Sequence, residues 1–260
     1  MTKSPGPFYF TTLPNGWTVG RFGALDAIGG VVHAVTTRLG PDVAMVHSDE
    51  FAAANLLSEA LDLGGVAWVE QVHGRTAVTA STGGCCGQAD AVATNRPRLG
   101  VSGRSADCPL ILLADAGGGS VGMAHASWRS MVGRIASRLV SHMVEQFSAD
   151  PARMVACICP SAGPCCYEVG HEVLQAAAEG LGPHARGFFR HGGGKTYLDL
   201  WQANADQLLR SGLRAENVHV AGICTLCRND LFPSYRLEGE RAGRFMAVIA
   251  RGWSGLEGAA

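Results

Sequence analysis

Three residues that are far apart in the chain have side chains able to share a metal ion. His73 ends a candidate strand, Cys108 lies at the start of a buried strand over residues 109–115, and His125 lies near the end of another strand over residues 121–126. Two imidazoles and one thiolate make a three-ligand zinc set that leaves the fourth tetrahedral position open to water or substrate. Spacing alone leaves an alternative open, in which Cys108 is an inert buried thiol and His125 a hydrogen-bonded core histidine.

A predicted hairpin brings the second and third of these residues together. The glycine-rich segment 116–120 turns the first strand back toward the second. At about 3.3 Å per residue, strands of this length place Cys108 and His125 at the same end of a sheet. The turn does not fix the pairing register, and a one-residue slip would send one side chain to the opposite face.

Several ordered motifs resemble those of one known family. QVHG at 71–74, ADCPLILLAD at 106–115 and HASWRS at 125–130 resemble motifs of the YfiH family. These are the laccase-domain proteins, also described as purine nucleoside phosphorylases and adenosine deaminases. CICPSAGPCCYEVG at 157–170 and the later stretches ICTLCRNDLFPSYR and GRFMAVIARG resemble further motifs of the family. The resemblance spans most of residues 64–252 and favours the metal-binding interpretation.

The resemblance implies a zinc-dependent enzyme that acts on purine nucleosides. A water bound to zinc at His73, Cys108 and His125 would be available as hydroxide near neutral pH. Attack of that hydroxide on C6 of adenine would displace ammonia, which is deamination of adenosine. Attack of inorganic phosphate on C1′ of the ribose would instead be phosphorolysis of adenosine- or inosine-type nucleosides. The sequence does not rank the two reactions.

Four further residues are candidates for phosphate or substrate contacts. Arg129 directly precedes a predicted helix over residues 130–147, where free N–H groups favour an anion, with pairing to a carboxylate as the alternative. Arg38 resembles the family's arginine at the end of a short strand facing the active site, with a solvated strand end as the alternative. The resemblance implies pocket positions for Gln71 and Tyr167. The segment after Arg38 is shorter than in the family, which shortens one wall of the expected site.

Three other functions remain open at this point. Two imidazoles and a thiolate also suit copper, which would make the protein a polyphenol oxidoreductase, although multicopper oxidation requires several metal centres and the sequence shows one ligand set. Cys108 as nucleophile with His125 as base would give a metal-free hydrolase. The shortened segment suits a non-catalytic zinc-binding protein, with the family's editing of cell-wall precursors as one such role.

The remaining polar and sulfur residues can be explained by structural roles as well as by functional ones. Asp90 either orients a metal ligand or caps a turn. The adjacent cysteines at 85–86 and 165–166 have no suitable geometry for bridging each other. The pair Cys224 and Cys227 has the spacing of a zinc knuckle, but a knuckle needs a second pair of ligands, and the sequence places none nearby. The sequence therefore argues against a metal ion at this pair of cysteines.

Composition and element order predict the class of protein. A chain of 260 residues with 47% hydrophobic content can fill the core of a single domain over residues 1–260. A net charge of −1 argues against a nucleic-acid partner, and no apolar run reaches the roughly 18 residues of a membrane span. Because the sequence shows no signal-peptide pattern, we expect a cytoplasmic protein with reduced cysteines. We expect it to be a monomer or a weak homodimer. Interleaved strands and helices without a steady βαβ alternation predict an α+β fold, for which the resemblance implies central β-sheets covered by helices.

Overall fold

Fifteen strands and eight α-helices make up the part of the chain that the structure describes. This computed structural model describes residues 7–117 and 119–252. The strands are β1 (Phe8–Thr12), β2 (Thr18–Phe22), β3 (Val31–Thr36), β4 (Gly65–Glu70), β5 (Ala77–Thr79), β6 (Gly84–Gln88), β7 (Ala91–Thr94), β8 (Leu99–Ser105), β9 (Leu110–Asp115), β10 (Val121–His125), β11 (Met154–Ile158), β12 (Phe189–Gly192), β13 (Lys195–Leu198), β14 (Val218–Val220) and β15 (Phe245–Arg251). The helices are α1 (Gly23–Asp26), α2 (Val43–Ser48), α3 (Glu50–Ala60), α4 (Trp128–Val132), α5 (Ile135–Phe147), α6 (His171–Leu181), α7 (Leu200–Arg210) and α8 (Tyr235–Glu238).

Two sheets pack face to face and share one apolar layer. The larger sheet has the strand order β1-β2-β3-β15-β8-β4-β6, and the smaller has the order β14-β11-β9-β10-β7-β5. Val101 and Ala247 of the larger sheet meet Leu112 and Met123 of the smaller sheet in a single buried cluster. Helices α5 and α7 cover the outer face of the smaller sheet, and α3 covers that of the larger sheet. The predicted arrangement of central sheets covered by helices is confirmed.

The predicted hairpin is strands β9 and β10, which pair antiparallel with His125 opposite Leu110. Because Cys108 lies two residues before Leu110, both site residues sit at the same end of the smaller sheet. Strand β9 is buried along its whole length since it lies between β10 and β11 and has both faces covered. The predicted turn between the strands contains Gly118, which lies outside the described residues.

The helix predicted over residues 130–147 is two helices, α4 and α5. Arg134 adopts a left-handed conformation, with φ of 62°, and this interrupts the helix between them. Ser127 caps α4, accepting a hydrogen bond from the Ser130 N–H. The short α4 therefore begins before Arg129, which lies inside it rather than ahead of it.

Two glycine-rich segments contain strands. The stretch 183–198 is a 3-10 helix (Pro183–Phe188) followed by the β12–β13 hairpin. Its residues Phe188, Phe189 and Leu198 are buried in a cluster with α6 and α7, which holds the segment against the body of the protein. The glycine-rich segment 81–88 contains β6, which pairs in parallel with β4.

His33 in β3 stabilises the fold in its neutral form. Its Nε2 accepts a hydrogen bond from the Phe22 N–H at 2.8 Å. Burial, aided by the charge of Arg21 and opposed by that of Asp26, lowers the pKa of His33 to about 4. Because the unfolded chain has a histidine pKa near 6.5, this contribution is present above that pH and is lost as the pH falls toward 4.

We therefore expect a pH-dependent stability difference between the wild-type protein and His33→Gln. Between pH 7 and pH 4 the wild type should lose about 3 kcal/mol more of its free energy of unfolding than the variant, which has no group to titrate at this position. Urea unfolding of both proteins at the two pH values measures the difference. An identical loss in both proteins would contradict this role of His33.

Candidate metal centre and substrate pocket

Three separate elements bring His73, Cys108 and His125 to one place. His73 lies just beyond β4, Cys108 lies between β8 and β9, and His125 is the last residue of β10. Their nitrogen and sulfur donor atoms lie within 4.8 Å of one another. The imidazole centroids of His73 and His125 are 5.0 Å apart, with the rings at 76° to each other. His125 is buried while His73 is exposed, so the group faces solvent on one side.

The Asp90 carboxylate positions both histidines. This residue is completely buried directly before β7. The Nδ1–H of His125 donates to Asp90 Oδ1 at 2.9 Å, which leaves Nε2 of the ring for another partner. The backbone N–H groups of His73 and Gly74 donate to the same carboxylate at 3.1 and 2.6 Å. Asp90 thus caps the turn at residues 72–74, where His73 has a φ of 58°, and also orients His125.

Opposing effects set the protonation of Cys108 and His125. Burial raises the pKa of the Cys108 thiol, but the charge and hydrogen bonds of His125 and His73 outweigh it and lower that pKa to about 7. Burial lowers the pKa of His125, but the neighbouring sulfur and Asp90 outweigh it and raise that pKa to about 9. The site therefore stabilises a thiolate near neutral pH.

This donor set fits zinc. A thiolate and two imidazoles are typical zinc ligands, and three protein ligands are the number found where the fourth position takes water or substrate. The hydrogen bond between His125 Nδ1 and Asp90 is the contact that usually fixes the tautomer of a metal-binding histidine. The same arrangement would hold the ring of His125 in place as the metal binds.

We expect Asp90→Asn to weaken zinc binding by about 10–100-fold, the usual effect of removing a carboxylate that orients a histidine ligand. The amide can accept a hydrogen bond from only one of its two polar atoms, so the His125 ring and the 72–74 turn compete for it. Competition with a chromogenic chelator measures the affinity. Asp115→Asn, at the far end of β9, is the matched control, and equal affinities in both variants would contradict the orienting role.

A cavity of about 450 Å³ opens onto the three candidate ligands. Gln71 and Tyr167, both expected in the pocket, lie in its wall. The Gln71 amide exchanges two hydrogen bonds, each 2.9 Å long, with the backbone of Arg104 and so ties the end of β4 to β8. The Arg236 guanidinium lies 4.8 Å from the centre of the Tyr167 ring. Burial raises the pKa of Tyr167 to about 12, so its hydroxyl is protonated at neutral pH.

The structure does not bring Arg38 or Arg129 into the wall of this cavity. Arg38 pairs with Glu238, and its Nε donates to the Asn229 carbonyl at 2.9 Å. Arg129 is exposed, with its guanidinium 4.3 Å from the Trp128 ring centre. Helix α4 has only five residues and therefore offers a weak dipole to an anion.

Three other arginines line the cavity, and the sequence analysis gave them no role. They are Arg104, Arg236 and Arg244. Each lies in or beside a motif used for the family resemblance, and Arg104 comes four residues before Cys108. Their position near these motifs could have identified them as candidates for the pocket, but a motif does not show which way a side chain points. The shortened segment after Arg38 forms α2, which contributes His47 to the cavity wall.

Asp107 connects the candidate metal site to the C-terminal part of the chain. This buried residue precedes Cys108 and has a φ of 88°. Its carboxylate accepts hydrogen bonds from the Thr225 hydroxyl at 2.6 Å, the Ser234 hydroxyl at 3.0 Å and the Arg236 backbone N–H at 2.8 Å. These contacts fix the segment that carries Arg236 beside the cavity.

The expectation that Cys224 and Cys227 lack a second pair of ligands is wrong. Cys165 and Cys166 lie next to them, and all four sulfur atoms are within 4.8 Å of one another. The pairs are distant in sequence, but they follow β11 and β14, which are parallel neighbours in the smaller sheet. The described residues therefore contain two candidate ligand sets, not the one that the sequence analysis found.

The fold and the site define the class to which the chain belongs. Residues 34–252 match the model of the family described as multi-copper polyphenol oxidoreductase laccase. The chain belongs to this laccase-domain family, and the resemblance to YfiH proteins is confirmed. In the part of the chain that the structure describes, no helix combines the length and apolar character needed to cross a membrane.

Individual relatives carry more specific names. The chain is 37% identical over 182 residues to a purine nucleoside phosphorylase of Deinococcus radiodurans, covering 70% of this chain and 68% of that protein. It is 34% identical over 163 residues to adenosine deaminase RL5 of an unknown prokaryotic organism, covering 62% of each chain. The crystal structure of YlmD from Geobacillus stearothermophilus superposes with a TM-score of 0.82 at 28% identity, covering 95% of this chain and 100% of that one.

Two other matches are shorter. Purine nucleoside phosphorylases of Bacteroides thetaiotaomicron and Geobacillus stearothermophilus match over 60% and 54% of their own lengths. The chain therefore spans little more than half of the length of these relatives in the aligned regions.

Proposed function

We propose that this protein is a zinc-dependent purine nucleoside enzyme that cleaves adenosine- and inosine-type nucleosides with phosphate and deaminates adenosine. One observation carries the proposal: the donor atoms of His73, Cys108 and His125 converge within 4.8 Å at a cavity that three arginines also line. The names of relatives, purine nucleoside phosphorylase and adenosine deaminase, support the same two reactions.

The proposal includes the cellular setting and the organisation of the chain. A cytoplasmic location is supported by the nine cysteines, which are all unpaired in the described residues, because disulfides are rare in that compartment. One domain over residues 1–260 is supported by the apolar layer that the two sheets share. We also propose that the protein is a monomer or a weak homodimer. Its partners are a small nucleoside and phosphate, and we propose no nucleic-acid partner.

The ligand residues prepare the site for zinc. Asp90 holds His125 through Nδ1, so that Nε2 is the ring nitrogen that would bind the metal, and Cys108 contributes a negative charge near neutral pH. When bound, zinc supplies Lewis acidity that lowers the pKa of a water molecule toward 7. The exposed side of His73 leaves room for a substrate to reach this position from the cavity.

In deamination, the oxygen of water forms a bond to C6 of adenosine and the C6–N6 bond breaks. The amino group takes up protons and leaves as ammonia, which gives inosine. Tyr167 is protonated at neutral pH and is therefore available as a hydrogen-bond donor to the bound nucleoside.

In phosphorolysis, a phosphate oxygen forms a bond to C1′ of the ribose while the C1′–N9 bond breaks. The base leaves with the electron pair and takes up a proton. Arg236 and Arg244 give the cavity the positive charge that a phosphate dianion requires, and planar guanidinium groups bind such oxyanions through paired hydrogen bonds. Arg104 also lines the cavity, but it pairs with Glu50 at 3.4 Å.

We expect Arg244→Gln to raise the KM for phosphate in phosphorolysis by roughly tenfold or more. A hydrogen bond to a charged group is worth about 1.5–3 kcal/mol, and each 1.4 kcal/mol corresponds to a factor of ten. Deamination in phosphate-free buffer should fall much less. The matched control is Arg129→Gln, since Arg129 lies outside the cavity wall. Equal effects of the two substitutions on the phosphate KM would contradict a phosphate site here.

The function is tested with the zinc-loaded protein and adenosine. We expect adenine and ribose 1-phosphate when phosphate is present, and inosine with ammonia when it is absent. No product under either condition would contradict the proposal and favour a zinc-binding protein without turnover. Turnover by metal-depleted protein would favour a Cys108–His125 hydrolase instead.

Membership of a family described as multi-copper polyphenol oxidoreductase laccase makes copper-dependent phenol oxidation the second candidate. The second ligand set removes the argument that the chain has too few metal sites. However, a set of four thiolates favours zinc over the Cu(II) that oxidase chemistry uses. Oxidation of a phenol by copper-loaded protein, with no reaction on adenosine, would support this candidate.

A further inference from the structure

Four cysteine sulfurs form a compact group outside the pocket. We call Cys165, Cys166, Cys224 and Cys227 the four-cysteine cluster. Their sulfur atoms lie within 4.8 Å of one another, and Cys227 Sγ is 3.7 Å from Cys165 Sγ and 3.5 Å from Cys166 Sγ. Cys224 is buried and Cys166 half-buried, whereas Cys165 and Cys227 are exposed. The cluster can therefore exchange an ion with solvent.

The backbone holds the two halves of the cluster together. Strands β11 and β14 are parallel neighbours, and a bridge between Ser161 and Cys224 continues the pairing beyond them. The N–H of Ser161 donates to the Ile223 carbonyl at 3.2 Å, and the N–H of Thr225 donates to the Ser161 carbonyl at 3.0 Å. The cluster is thus built on two loops whose relative position is fixed by backbone hydrogen bonds.

Gly163 allows the close approach of these loops. A Cβ at this position would lie 2.7 Å from the Trp201 ring and 3.0 Å from Cys224 Cβ, closer than side-chain atoms pack. Without a side chain, the Gly163 N–H donates to Cys224 Sγ at 3.3 Å. Backbone donors of this kind stabilise a thiolate.

We propose that the four-cysteine cluster binds one zinc ion, at a structural site separate from the pocket. With zinc–sulfur bonds of about 2.3 Å, the sulfurs of a tetrahedral site lie about 3.8 Å apart. The measured separations of 3.5 and 3.7 Å are close to this value. A disulfide requires about 2.05 Å, and an iron–sulfur cluster distributes its thiolates over several irons, which separates them further.

Four protein ligands leave no open position, so this zinc ion would stabilise structure rather than bind substrate. Its location links two parts of the pocket wall. Cys166 directly precedes Tyr167, which lines the cavity. Thr225 lies between the other two cysteines and donates to Asp107 at 2.6 Å, next to Cys108. The ion would thereby hold the Tyr167 loop against the segment that supports Asp107.

Zinc content per chain tests the proposal on the full-length protein, purified under reducing conditions with zinc present. We expect two zinc ions in the wild type, one in Cys227→Ser, one in Cys108→Ser and two in the control Cys85→Ser. The Cys108 variant separates this inference from the pocket site. If the pocket binds no zinc, wild type and Cys108→Ser both contain one ion while Cys227→Ser contains none. Equal zinc content in the wild type and Cys227→Ser would overturn the inference.

A second measurement leaves the cluster intact, so it does not depend on whether Cys227→Ser folds. Zinc-edge X-ray absorption of Cys108→Ser should show a shell of four sulfurs at about 2.3 Å, because the pocket ligands no longer include a thiolate. A shell of nitrogen and oxygen would overturn the proposal. The proposal would also be overturned if Cys108→Ser contained no zinc, or if its intact mass showed a disulfide among the four cysteines.

Discussion

His125→Ala should remove metal from the pocket and lower kcat/KM for adenosine by roughly a thousandfold or more. The substitution deletes one of three ligands and leaves Asp90 as a buried carboxylate without its imidazole partner. A catalytic metal contributes several kcal/mol to stabilising the transition state, and each 1.4 kcal/mol is a factor of ten in rate. Metal analysis and initial rates on the same preparation measure both effects, and His73→Ala should behave alike.

The control for this prediction is His191→Ala, because His191 is exposed in the β12–β13 hairpin away from the cavity wall. It should keep the metal content and the activity of the wild type. Alkylation of Cys108 adds an independent readout, since a zinc-bound thiolate reacts slowly with alkylating reagents and a free one with a pKa of about 7 reacts quickly. Full activity in a His125 variant without metal would disprove the zinc mechanism.

Asp107→Ala should destabilise the protein by about 3–5 kcal/mol and weaken phosphate binding at the same time. It removes the acceptor of three hydrogen bonds and leaves two buried hydroxyls, of Thr225 and Ser234, without a partner. Each buried group left unsatisfied costs about 1–3 kcal/mol. Because Arg236 loses its backbone anchor, its side chain should no longer be held in the cavity wall. Chemical denaturation and the phosphate KM measure the two effects.

Asp230→Ala provides the comparison for Asp107→Ala, because Asp230 lies in the same C-terminal segment but pairs with Arg228 on the surface. An exposed ion pair of this kind contributes little to stability. If Asp107→Ala were as stable as the control, Asp107 would not be the connection between the C-terminal segment and the candidate metal site.

Local patterns in the sequence predicted the parts of the site that lie within one hairpin. The apolar runs of β9 and β10 and the glycines between them predicted that Cys108 and His125 lie at one end of a sheet, and the structure confirms this. The QVHG motif at 71–74 identified His73 as a candidate ligand. Its approach to Cys108 and His125 depends on the buried Asp90 carboxylate, which caps the 72–74 turn. That contact joins segments from different strands and has no short-range pattern.

The sequence could not predict which arginines line the cavity, because the direction of each side chain depends on tertiary packing. Arg38 follows β3, but Glu238 of the distant helix α8 binds its guanidinium. Arg129 was predicted to precede a long helix, but Ser127 caps α4, so Arg129 lies inside this helix. The four-cysteine cluster was missed for a related reason, since its halves meet only through the parallel pairing of β11 and β14.

Anomalous diffraction at the zinc edge from crystals of the zinc-loaded protein tests the central claim most directly. We predict a peak between His73, Cys108 and His125, about 2.0–2.1 Å from each ligating nitrogen and about 2.3 Å from the sulfur. Its fourth position should face the cavity that Arg104, Arg236 and Arg244 line. An anomalous map without a peak among these three side chains would contradict the account.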